Sequence, residues 1–115
     1  MIEHELLLDR IKLLEYHQRL IIKLLNNPKL EFYKLIIENG ITELETEKFL
    51  TKCDELSMKL EEQKAEGYVY FHPLFNELSA SLPASLTVKE VIKACIIQDL
   101  YEPLFQELGK YEKKL

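Results

Sequence analysis

Residues 42–67, TELETEKFLTKCDELSMKLEEQKAEG, leave the chain little choice of local structure. Thr42 followed three residues later by Glu45 spells a capping box, in which each side chain satisfies an orphan backbone N–H of a helix's first turn. Gly67 suits the left-handed conformation that closes a helix at its other end. No Gly or Pro lies between them, and most of the intervening residues are strong helix formers. Phe49, Cys53, Leu56 and Leu60 recur at i, i+4, i+7 and i+11, which places one apolar stripe along one side. The spacing predicts a helix of about 24 residues spanning roughly 36 Å. A rod of that length is expected to be central, with the rest of the chain packed around it.

Residues 3–25 predict a second long helix, more hydrophobic than the first. Leu7, Ile11, Leu14, Gln18, Ile21 and Leu25 alternate spacings of four and three, a coiled-coil-like seam with one polar residue in it. Leu6, Leu13, Leu20 and Leu24 form another stripe beside it. Two readings fit so much apolar surface. Either the helix is buried on two sides within its own bundle, or one stripe packs inward while the other meets another subunit. The second is favoured, and the seam with Gln18 in it is the expected contact of a homo-oligomer, dimer or trimer.

The remaining segments read as shorter helices joined by tight turns. Asn26-Asn27-Pro28 ends the first helix, and residues 30–39, with Phe32, Tyr33, Ile36 and Ile37, form a short one stopped by Gly40. Tyr68, Val69, Tyr70 and Phe71 have strand composition but no partner strand, so they are expected to be a connector whose rings cap the bundle. Pro73 sits at the start of a helix running to about residue 82. Leu86-Thr87-x-x-Glu90-Val91 repeats the capping box with a flanking hydrophobic staple. Val88, Val91, Ile92, Cys95 and Ile96 make the next apolar face, Gln98-Asp99 interrupts it, and Pro103 opens a last helix with Leu104, Phe105, Leu108 and Tyr111 inward. The expected fold is an all-α bundle of five or six helices, two long and the rest short, forming a single domain over residues 1–115.

Charge and motif content narrow the function classes. The net charge of −5 is spread along the chain, with eight basic and eleven acidic residues in the first 57 and seven and nine in the rest. No basic patch marks nucleic-acid binding, and Glu43, Glu45 and Glu47 in the central helix's first turn would repel phosphate. The N-terminus is acidic where a signal peptide is basic, and no apolar run is long enough to cross a bilayer. Cys53 and Cys95, 42 positions apart, read as reduced thiols of a cytoplasmic protein. Cys53-Asp54-Glu55 invites a nucleophile reading, yet neighbouring carboxylates raise a thiol's pKa, and Cys53 falls in the buried stripe. His4, His17 and His72 lack the spacing of metal ligands, and Gly40, Gly67 and Gly109 stand alone, so there is no phosphate loop. The charged side of the central helix reads as a solvated face carrying a Glu55–Lys59 pair. No catalytic residue, cofactor or metal is expected.

Three segments carry a family resemblance: Phe32-Tyr33-x-Leu35 with Gly40-Ile41-Thr42, then Cys53-Asp54-Glu55-Leu56-Ser57, then Gln63-Lys64-Ala65-x-Gly67-Tyr68-Val69-x-Phe71. Together they resemble the YhaI-like family of small uncharacterised bacterial proteins over nearly the whole chain. The resemblance implies an all-helical fold, assembly into homo-oligomers and no established activity. One departure is His72-Pro73 where the family pattern has an acidic cap before the fourth helix. The expectation is a non-catalytic homo-oligomeric adaptor or regulator. The alternative is a ligand-binding bundle or enzyme using the aromatic corner of Tyr68, Tyr70, Phe71 and Phe75, which would require a cleft there.

Overall fold

The computed structural model describes residues 2–112. Among them are six α-helices and no strand: α1 (Ile2–Leu25), α2 (Glu31–Glu38), α3 (Glu43–Ala65), α4 (His72–Ser81), α5 (Val88–Ile97) and α6 (Glu102–Glu112). A 3₁₀ turn, Pro28–Leu30, leads into α2. The fold is the all-α bundle that the periodicities require, with two long helices and four short ones.

Both capping boxes form. The Glu45 N–H donates to Thr42 Oγ1 at 3.1 Å, and the Thr42 N–H donates to Glu45 Oε1 at 3.0 Å. At α5 the matching distances are 3.3 Å for Glu90 N–H to Thr87 Oγ1 and 2.8 Å for Thr87 N–H to Glu90 Oε1. Gly40 (φ +62°) and Gly67 (φ +95°) close α2 and α3 in the left-handed conformation. The next N–H then reaches back five residues, from Ile41 to Ile36 O at 3.1 Å and from Tyr68 to Gln63 O at 2.9 Å. α5 ends in the same motif with Asp99 (φ +59°) in place of glycine, the Leu100 N–H meeting Cys95 O at 2.9 Å.

The core joins α3, α4, α5 and α6. α6 packs against α3, α4 and α5, whereas α3 packs against α4 and α6. The middle of the bundle is therefore the last helix rather than the long one, which lies along its side. α3 nonetheless buries its whole predicted stripe, Phe49, Cys53, Leu56 and Leu60. Phe32 of α2 stacks on Phe49 at 5.6 Å between ring centroids, and α2 packs mainly on α5. On the α3 surface, Lys59 pairs with Glu77 of α4 at 2.9 Å instead of with Glu55, and Glu55 is held by Lys52 at 3.5 Å. The expected Glu55–Lys59 pair is corrected because α4 brings a carboxylate that serves Lys59 and Lys52 together. Hydrogen bonds from Lys59 and Lys52 hold the Glu77 carboxyl below its ordinary range, against the opposing effect of its partial burial.

α1 stands outside this arrangement. No other helix packs along it, and none of its residues is buried. The molecule measures 65 × 28 × 24 Å, and its radius of gyration is 17.7 Å. A compact chain of this length would have a radius of gyration of about 13 Å. The helix is an arm that projects from a body formed by α2–α6.

Candidate functional site

The arm is where the sequence and the fold disagree most usefully. Neither expected reading of its stripes holds within one chain: beyond the contact of its root with α2, no helix packs along the seam or along the stripe beside it. Leu7, Leu14, Ile21 and Leu25 of the seam are all more than half exposed, Leu14 at 64%, and Ile11 is exposed too. On the second stripe Leu24 is 84% exposed. The core of the body forms without them, because the buried faces of α2–α6 pack on one another. The six seam residues thus share one solvent-facing line down the arm.

At its root the arm is tethered to α2. Gln18 donates an amide N–H to Ile37 O at 3.3 Å. Below it, Ile22, Leu25, Leu30, Tyr33 and Ile37 line an apolar notch of about 100 Å³ with Lys34, Asn26 and Asn27 at its edge. Tyr33 is 53% exposed. The apolar surface therefore runs unbroken from the arm onto the outer face of α2.

Placement of α2 depends on a residue whose role the sequence did not signal. Leu30, which precedes α2, supplies no side-chain cap. Gln98, 66 positions away at the end of α5, fills that role: its Oε1 accepts from the Phe32 N–H at 2.8 Å and from the Tyr33 N–H at 3.3 Å. A side-chain acceptor at a helix N-terminus satisfies donors that would otherwise be orphaned. Only a local cap is visible in a sequence, so no signal could have found this one.

The aromatic corner is filled. Phe71 and Phe75 are buried, while Tyr68, Val69 and Tyr70 are exposed, so only part of the connector caps the bundle. Tyr111 occupies the space among these rings, meeting Tyr70 edge-on at 5.8 Å and Phe75 at 6.4 Å, and its hydroxyl accepts from the Phe71 N–H at 2.9 Å. His72 packs on Tyr70 at 5.9 Å and on Tyr111 at 5.5 Å. Rings and hydroxyl are turned on one another.

Neither thiol is poised for chemistry. Burial, then Cys95, then Asp54 push the Cys53 thiol far above its ordinary value, and burial pushes Cys95 up to about 12. Both are fully buried. A protonated, enclosed thiol is a packing group. Beside Cys53, Asp54 accepts a 2.7 Å hydrogen bond from Tyr101. Tyr101 adopts φ +45°, unusual for a bulky residue, and the bond ties the α5–α6 turn to α3. Burial first, then Asp54, raises the Tyr101 pKa. Among the described residues, no group of three His, Cys, Asp or Glu side chains is placed to hold a metal ion, and no helix is long and apolar enough to cross a membrane.

What the geometry offers is an exposed apolar helix tethered at its root to α2. Over residues 4–113 the chain matches the model of DUF1878, a family of proteins of unknown function, and it belongs to that family.

Proposed function

We propose that this protein is a non-catalytic interaction protein of the cytoplasm, an adaptor or regulator that assembles with copies of itself through α1. The observation that carries the reading is the bare seam: a 24-residue helix without a single buried residue, on a chain whose other helices each bury an apolar face. Most helical stability in proteins comes from packing an apolar face rather than from intrinsic propensity. A patch this long in solvent marks a contact surface. The resemblance to YhaI-like proteins points the same way, toward homo-oligomers.

Light scattering on a sizing column tests it. The parent protein at micromolar concentration is expected to run as an oligomer. Replacing Leu14 and Ile21 together by Glu should convert it to a monomer whose body stays folded, since neither residue touches the core. A parent that is monomeric and helical along the arm at that concentration overturns the proposal.

A further inference from the structure

We infer that the arms of two copies lie parallel and in register, so that both bodies sit at the same end of the assembly. This rests on the self-assembly proposed above and adds its direction. The argument comes from the few polar groups at or beside the seam, because the leucines and isoleucines alone would tolerate either direction.

In heptad terms Ile11, Gln18 and Leu25 are at a, and Leu7, Leu14 and Ile21 are at d. The flanking e positions are Leu8, Glu15 and Ile22, and the g positions are Glu3, Arg10, His17 and Leu24. In a parallel pair each g residue faces the e residue five places further along the partner, so Arg10 meets Glu15 of the second copy, twice over by symmetry. In an antiparallel pair e faces e and g faces g, and Arg10 never meets Glu15 in any register. The other opposite-charge choice, Arg10 with Glu3, requires antiparallel tips overlapping over roughly ten residues, which leaves the remaining heptads of the seam in water. Charge complementarity therefore selects the parallel arrangement.

Gln18 selects it independently. Position a faces a across a parallel pair, so Gln18 meets Gln18 of the second copy. One of its amide N–H groups is already donated to Ile37 O in its own chain. The second N–H and the carbonyl oxygen are left for its mate, and each can donate where the other accepts. Across an antiparallel pair position a faces d, and the second N–H and the carbonyl oxygen would be enclosed among Leu7, Leu14 or Ile21 without a mate. Leaving those two groups buried and unsatisfied is costly, and a single polar a residue is a known device for fixing register. At the root, the seam passes into the notch with Tyr33 and Ile37, so the second copy's arm also finds apolar surface on α2.

Single-cysteine crosslinking and a charge swap test the direction. The native thiols are enclosed and protonated, so an introduced cysteine on the exposed arm is the reactive one. Under mild oxidation Leu7→Cys is expected to link to itself, because d residues face each other within disulfide reach in a parallel pair. Mixed with Leu25→Cys, it should give only like-to-like products. Arg10→Glu and Glu15→Arg should each raise the dissociation constant several-fold, and the double swap should restore it to within about twofold. An assembly that scatters light as an oligomer, yet links Leu7→Cys to Leu25→Cys or leaves Leu7→Cys unlinked, overturns the parallel register. So does a double swap that fails to rescue. A monomeric parent overturns the reading beneath it instead. A parent that stays monomeric but binds lipid vesicles would assign the seam to a membrane surface, and would overturn both.

Discussion

α1 and α3 are nearly the same object by local criteria: 24 and 23 residues, each with a long apolar stripe at helical spacing. α3 is the less hydrophobic of the two, yet it buries Phe49, Cys53, Leu56 and Leu60 while α1 buries nothing. Helical periodicity says that a face needs covering and is silent on what covers it. For α3 the cover is α4 and α6 in the same chain. For α1 the chain has no cover, and the richer stripe is the one left in water. A helix more apolar than α3 but without a place in the core is the signature of surface kept for another molecule.

The sharpest way to break this comparison is to shave the same side chain from each helix. Leu56→Ala removes a fully enclosed side chain and should destabilise the fold by about 2–5 kcal/mol. Leu14→Ala removes one that is 64% exposed and should leave the body's own stability untouched. Its effect should appear only through assembly, and therefore depend on protein concentration. Urea melts at two concentrations separate the two cases. Equal, concentration-independent losses would mean that the arm is part of the body after all.

A second contrast is in the response to alkali, which should belong to the body alone. The folded state keeps protons on Cys53 and Cys95 that the unfolded chain releases above its ordinary thiol value of 9.0, and for Cys95 it does so up to about 12. With fewer protons bound in the unfolded state, stability falls as pH rises, by about 1.4 kcal/mol per pH unit for each fully ionised group. Tyr101, whose pKa is also raised, adds to the loss above pH 10. Urea midpoints should be flat from pH 7 to 8.5 and drop steeply beyond 9.5. Cys53→Ala should make that slope shallower, and an unchanged slope would show that the thiol is not held protonated.

Caps give effects of the next size. Thr42→Ala, Thr87→Ala and Gln98→Ala should each cost about 1 kcal/mol in denaturant melts. Gln98→Ala differs in kind, since it frees the first turn of α2 and with it the root of the arm. It should therefore weaken assembly as well, which the two threonine variants should not. An assembly indifferent to Gln98→Ala would show that α2 is held without it.

These residues also mark how far the sequence could be read. Thr42 with Glu45, Thr87 with Glu90, Gly40 and Gly67 act within a few positions of themselves, and each does what its spacing implies. Asp99 closes α5 in a conformation more often given to glycine, so only the interruption was legible there. Lys59 had Glu55 one turn away and took Glu77 of α4 instead. Gln98 reaches across 66 positions, and the fate of the arm's stripes depended on whether any other face was left over. Local chemistry was readable, and competition between distant partners was not. The aromatic corner followed the same division: its composition was plain, but Tyr111, 40 positions on from Phe71, decides that it is filled.

The smallest expected effect concerns a place where the body itself is underfilled. Gly109 lies inside α6, the helix at the middle of the bundle, and glycine there costs about 1 kcal/mol relative to alanine. A Cβ added at this position would meet Ile92 Cγ2 at 3.5 Å and Ile96 Cδ1 at 3.7 Å, ordinary contacts that need no rearrangement. Its backbone is helical, so no special φ calls for glycine. Gly109→Ala should therefore stabilise the fold by about 0.5–1 kcal/mol, through helix propensity and a little added contact with α5. The gain should be the same at every protein concentration, because it strengthens the body and leaves the arm alone. If Gly109→Ala instead lowered stability or altered assembly, the shallow groove bordered by Lys89, Lys93 and Gly109 would be a second contact surface, and the division between a self-sufficient body and an unpartnered arm would have to be redrawn.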